Sequence, residues 1–123
     1  MSNISPYKKE NQVLNLAFEF ALEIIQYTED LESRKRFNMA NQLFRSGTSI
    51  HANIREAQNA ESKTDFIHKM KIAAKEAEET EGWLLLCKHS KSYPAPDQLL
   101  EKMVSILKLL NKIISSAKQP SAN

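Results

Sequence analysis

Residues 62–91 read SKTDFIHKMKIAAKEAEETEGWLLLCKHSK. Within this stretch Phe66, Met70, Ala73, Ala77, Thr80, Leu84 and Cys87 alternate spacings of four and three, an unbroken heptad seam along one side of a helix. Trp83 and Leu86 lie beside the seam, and the rest of the helix is dense in charge: Lys69, Lys71, Lys75, Glu76, Glu78, Glu79 and Glu81. Ser62, followed three residues later by Asp65, resembles a capping box with Asp in place of the usual Glu. The helix is expected to end near Lys91. A narrow apolar seam of this kind is buried only against other helices.

Working outward, three further stretches have the same period. From about Glu10 to Asp30, Leu14, Ala17, Phe18, Ala21, Ile24 and Ile25 share a face that Val13, Leu16, Phe20 and Tyr27 widen. Leu31–Ser33 is read as the break after it, with Ser33 as an N-cap. From about Arg34 to Ala60 the seam is Phe37, Ala40, Leu43, Phe44, Gly47, Ile50, Ile54 and Ala57. Gly47 inside it points to close helix approach or a bend, since a mid-helix glycine costs about 1 kcal/mol against alanine. Tyr93-Pro94-Ala95-Pro96 is a linker. Pro96 suits the first turn of a fourth helix and Asp97 its positive end. Leu100, Met103, Leu107, Leu110, Ile114 and Ala117 are its seam, widened by Ile106 and Ile113. Short loops make successive helices antiparallel. The fold class is therefore all-α, an up-down-up-down four-helix bundle over residues 10–117, with an N-terminal arm (1–9) and a polar tail (118–123).

Composition agrees. The 123 residues make one domain, and with two glycines and four prolines the chain lacks turn signals for a sheet protein or a phosphate-cradling loop. Seventeen basic against fifteen acidic residues give a net charge of +2, which permits nucleic-acid contact without demanding it. The single Cys87 fits a reducing, cytoplasmic setting. Met1–Lys9 has no apolar core of a signal peptide, and no apolar run approaches the roughly 18 residues of a membrane span.

The second helix carries too little charge for a solvated back. Between Phe37 and Ala60 only Arg45, Arg55 and Glu56 are charged. Asn38, Gln42, Arg45, Ser49, Asn53 and Glu56 gather in one arc opposite the apolar seam. Depletion of charge marks interface cores, so the arc is expected to be covered by another subunit or by a buried polar network. A buried Arg45 needs a carboxylate, with Glu56 or Glu79 as candidates, and Asn53 is placed to bridge two helices.

Catalytic chemistry does not emerge. Asp65 and His68 lie at i and i+3, but a di-iron bundle needs two such pairs and two further glutamates. His51 and His89 have no partner at ligand spacing. Ser49 and His51 point about 200° apart on a helix, so they form no dyad. Cys87 reads as a core residue. Trp83 and Tyr93 are candidates for base stacking. Lys8, Lys9, Arg34, Lys35, Arg36, Lys88 and Lys91, with His89, are candidate phosphate contacts at helix ends and loops. No metal and no cofactor is expected.

The stretch Arg45-Ser46-Gly47-Thr48-Ser49-Ile50-His51-Ala52-Asn53-Ile54-Arg55-Glu56-Ala57 resembles the signature of the bacterial ribosomal RNA intervening-sequence proteins: an Arg, then Ser-Ile, then Asn-Ile, then Glu-Gly. Arg45, Ser49, Ile50, Asn53, Ile54 and Glu56 match it, and in the third helix Ile72, Ala73 and Glu79 match a later part. Ala57 stands where the family usually has Gly, Glu76 where it often has Ser, and Phe44 where a second Arg is frequent. The resemblance implies a four-helix bundle that assembles as a homopentamer and has no known enzymatic activity. It also implies a possible partner in RNA or a nucleic-acid-associated protein, reached through basic surface.

The sequence thus reads as a non-enzymatic, homo-oligomeric interaction module, with RNA or a ribonucleoprotein as leading partner. A protein-only scaffold is the first rival and a metal-dependent bundle enzyme the second. Arg45, Ser49, Asn53, Glu56 and Glu79 are assigned to a structural polar network or subunit contact. Asn53→Leu and Arg45→Ala are therefore expected to shift the native mass seen by light scattering. An unchanged mass distribution for both removes the interface assignment.

Overall fold

The computed structural model describes residues 11–120. It holds four helices, α1 (Gln12–Ser33), α2 (Phe37–Ala57), α3 (Lys63–His89) and α4 (Asp97–Lys118), and no strand among the described residues. Each helix packs on its chain neighbours and α4 closes back on α1, while neither diagonal pair approaches backbone to backbone. Cross-helix contacts run in opposite chain directions throughout. Ile24 meets Gly47 while Phe18 meets His51. Arg45 pairs with Glu76 while Glu56 pairs with Lys69. Lys88 reaches Asp97 while Lys63 reaches Gln119. Lys102 pairs with Glu23, closing α4 on α1. This is the up-down-up-down bundle that the periodicity predicts.

The core follows the seams. Phe20, Ile24 and Leu31 of α1, Leu43, Ile50 and Ile54 of α2, Met70 and Leu84 of α3, and Met103, Ile106 and Leu110 of α4 are its largest fully buried side chains. Two residues of the expected α2 seam depart from it: Phe37 and Phe44 are 54% and 48% exposed. They stand seven residues apart on the edge of α2 toward α1, beside a core already filled by Ala40, Leu43, Gly47 and Ile50.

Helix ends differ from expectation where burial overrules local signals. α1 runs on through Leu31, which is fully buried. Burying a leucine stabilises by about 1.5–3 kcal/mol, enough to hold the last turn. Ser33 therefore does not cap α2; its hydroxyl donates to the Asp30 carbonyl at 2.6 Å. The turn comes instead at Arg34–Arg36. Lys35 adopts a left-handed φ of 62°, Lys35 N–H donates to the Glu32 carbonyl and Arg36 N–H to the Leu31 carbonyl. That is a Schellman motif with lysine where glycine is usual. Ser62 does cap α3, accepting from Asp65 N–H at 3.0 Å, but the Asp65 carboxylate reaches back to Glu61 N–H. Pro96 is the N-cap residue of α4 rather than its first turn, and α3 ends at His89, before Lys91.

The two glycines are not equivalent. A Cβ on Gly47 would stand 2.9 Å from both Cγ atoms of Ile24, so α1 and α2 approach closely because nothing projects there. Ile24 is fully buried and has no room to move. A Cβ on Gly82 meets nothing within 4 Å. Gly47→Ala is expected to destabilise by about 1–2 kcal/mol, overpacking outweighing helix propensity. Gly82→Ala is expected to stabilise by about 0.5–1 kcal/mol. Urea midpoints that move in the same direction for both variants contradict this packing.

Candidate functional site

The arc of α2 faces solvent and the edge of α3. Arg45 of α2 pairs with two α3 carboxylates, Glu76 at 3.2 Å and Glu79. Glu79 also accepts from the indole N–H of Trp83 at 3.1 Å. The guanidinium holds together two acids one turn apart, and Trp83 fixes the second. With the Arg45 side chain half exposed, the Arg45–Glu79 pair contributes no more than about 1 kcal/mol. Beneath it lies a fully buried polar contact: Thr80 Oγ1 is 2.8 Å from Ser46 Oγ and 2.7 Å from the Glu76 carbonyl oxygen. Thr80 has one proton to give. With it on the carbonyl, Ser46 donates across to α3, and neither hydroxyl is left unsatisfied.

Two of the other arc residues, Ser49 and Asn53, turn back on their own helix. Ser49 donates to the Arg45 carbonyl at 2.6 Å, and Asn53 donates to the Ser49 carbonyl at 2.9 Å without reaching a second helix in this chain. Glu56 goes to Lys69 at 3.5 Å, not to Arg45. Asn38 and Gln42 are exposed. The described residues therefore leave Asn38, Gln42, Arg45 and Glu56 of the arc exposed and Ser49 and Asn53 half-buried. Glu76 is the residue that sequence reasoning missed: read there only as added negative charge, it is a partner of Arg45. Its position one turn before Glu79 was the available signal.

The basic positions of two loops meet at one end, because the turn after α1 and the linker after α3 lie on the same side of the bundle. The Arg36 guanidinium sits over the Tyr93 ring, 5.2 Å from its centroid. The Tyr27 hydroxyl donates to the Pro94 carbonyl at 2.7 Å, tying the linker to α1. Burial, then the nearby Cys87 and Asp30, push the Tyr27 pKa up, so the phenol keeps this proton. Burial likewise pushes the Cys87 thiol up, which suits an inert core residue. Arg34 is paired with Asp30 at 3.0 Å and Lys88 with Asp97 at 3.2 Å. Lys35 and Lys91 are exposed and in no ion pair among the described residues. Lys8 and Lys9 lie outside the described residues.

An open cleft of about 750 Å³ at the same end is lined by Glu23, Tyr27, Asp30, Asp97, Leu99 and Lys102 among others. Its charges are matched by one another or by Arg34 and Lys88. No group of His, Cys, Asp or Glu suited to a metal ion occurs among the described residues. None of the described helices is long and apolar enough to cross a membrane.

A helical bundle with a charge-poor second helix and an Arg–Glu clasp onto the third is the class that this geometry defines. The family described as 23S rRNA-intervening sequence protein matches residues 9–112, and the chain belongs to that family. It is also similar to a crystal structure from Bacteroides thetaiotaomicron, described as a protein of unknown function from the S23 ribosomal protein family. The identity is 43%, the TM-score 0.79, and the match covers 83% of this chain and 97% of that one. No curated protein is similar enough to match. Neither description names a reaction.

One titratable group faces the seam between α1 and α2. His51 packs edge-on against Phe18, with ring centroids 5.5 Å apart, and its buried Nε2 has no hydrogen-bond partner. Burial, helped by Arg55, lowers its pKa from 6.5. The unfolded chain therefore binds this proton more readily, so stability is full above pH 6.5 and declines as pH falls toward the lower folded value. Carboxylates titrate mostly below that window, near pH 4 to within about a unit. The melting temperature is expected to fall between about pH 7.5 and 5.5, and to fall less in His51→Gln. Equal falls in both proteins exclude His51 as the cause.

Proposed function

We propose that the chain is a non-enzymatic, homo-oligomeric interaction module that engages RNA, or a ribonucleoprotein, through basic surface. The observation that carries this reading is the convergence of the two basic loops. Lys35, Arg36 and Lys91 lie at one end of the bundle without a carboxylate pair, and Tyr93 and Arg36 offer a planar stack beside them. Phosphate contacts from lysine and arginine give affinity without sequence readout, which suits a scaffold that carries no recognition helix. Self-assembly falls to the arc of α2, where Asn38, Gln42, Ser49 and Asn53 present small and amide groups that pack closely against a second copy. The family description names an rRNA context, which supports RNA over other polyanions.

A protein-only scaffold is favoured by a different observation. Arg34 and Lys88 are neutralised within the chain by Asp30 and Asp97, so the basic end is weaker than its composition suggests. Salt decides between the two. RNA affinity is expected to fall steeply from about 50 to 200 mM salt, with a slope of roughly 0.7 per phosphate neutralised on a single strand. If no RNA binding is detectable at the lower concentration, the scaffold reading stands in its place.

A further inference from the structure

A second group of unpaired cations among the described residues lies away from those loops. Glu101 is the last acidic residue in the sequence, and four lysines follow it, Lys102, Lys108, Lys112 and Lys118. Lys102 is taken by Glu23 of α1. Lys108, Lys112 and Lys118 are exposed and in no ion pair among the described residues. Lys108 and Lys112 stand one turn apart on the solvent face of α4, with Ser115 next along it. Across the α3–α4 groove, the neighbouring Lys118 ammonium lowers the Lys71 pKa. Lys63 is anchored beside them by its bond to the Gln119 carbonyl. By register Glu78 is the acid that borders the patch on the α3 side.

Two ammonium groups side by side repel each other, and neither is in an ion pair with a carboxylate among the described residues. The α1–α2 and α3–α4 connections differ: of Arg34, Lys35, Arg36, Lys88 and Lys91 there, Arg34 and Lys88 each have a carboxylate of their own. We propose that the solvent face of the C-terminal half of α4, with Lys71 of α3, is a second phosphate-contacting face for the RNA backbone and carries more of the binding than the loop end. It rests on the reading of the chain as an RNA-engaging module. Nucleic acid is favoured over a lipid surface because the apolar side of this half-helix is spent on the core. In α4, Met103, Ile106, Leu107, Leu110 and Ile114 are buried, and from Ser105 to Lys118 every exposed residue is a lysine, serine or asparagine. An interfacial membrane helix needs the reverse, a free apolar face.

The test uses the full chain and a labelled poly-uridine oligonucleotide, with binding followed by anisotropy from about 50 to 200 mM salt. One variant carries Lys108→Gln, Lys112→Gln and Lys118→Gln; the other carries Lys35→Gln, Arg36→Gln and Lys91→Gln. Both lose three positive charges, so a difference between them reports location and not net charge. Circular dichroism checks that both remain helical. The α4 variant is expected to lose about two from the salt slope and about tenfold or more in affinity at the lowest salt, and the loop variant less. A full slope in the α4 variant alongside a loss in the loop variant overturns this inference and leaves the RNA reading intact. No binding by the unaltered chain overturns both. Capture by phosphatidylserine vesicles that depends on the α4 lysines, with RNA binding unaffected, also overturns it.

Discussion

The bundle turns on one place where a side chain is missing. At Gly47 the backbone of α2 lies so near α1 that a single methyl group would collide with both branches of Ile24. Its neighbour Ser46, fully buried, meets Thr80 of α3 through paired hydroxyls. Consecutive residues of α2 thus fix its distance from one helix and its register on the other. A hydroxyl pair in an apolar interior tolerates no slip, because either group left alone costs about 1–3 kcal/mol. Everything outside that seam, including which loop residues meet and which acids face Arg45, follows from the register so set.

The same register explains why the family signature looks chemical and behaves structurally. Arg45 lies two residues from Gly47 and reaches the α3 acids that flank Thr80. Glu76 and Glu79, one turn apart, would repel each other without it. Arg45, Glu79 and Trp83 therefore form a clasp over the buried hydroxyls, on the outside of the seam that they protect. Glu76 gives Arg45 a second partner beside Glu79. The negative charge of Glu76 is thus local, spent on a contact between two helices of one chain.

Helix number, order and direction were legible because heptad and near-heptad spacing survives in every segment, and three connections are short. The ends were less so. Leu31 sits in a stretch of polar residues whose composition reads as a turn, and only its burial keeps it helical. Phe37 and Phe44 match the α2 period but fall at the edge of the face, where periodicity says nothing of how wide a neighbour is. Ser46 and Thr80 could not be paired from the sequence, since the match needs the register first. Charge alone left Glu56 and Glu79 both open as partners of Arg45, and the structure pairs Glu79 with it, whereas Asn53 was read as a bridge and instead bonds within its helix.

Charge counted along the chain and charge presented in space are different quantities, and the difference bears on function. The run Arg34-Lys35-Arg36 is the densest basic segment of the described chain, yet it faces Asp30 and the Tyr93 ring, and part of it is absorbed. The lysines of α4 are spaced four and six residues apart and form no visible run. They gain weight from what is missing around them: no acid follows Glu101, and their neighbour across the groove is another lysine. A polyanion responds to the field that remains after a protein has neutralised its own charges. By that measure the proposed phosphate face lies on the side of the bundle more than at its end, and the arc of α2, to which self-assembly is assigned by proposal, lies on another face.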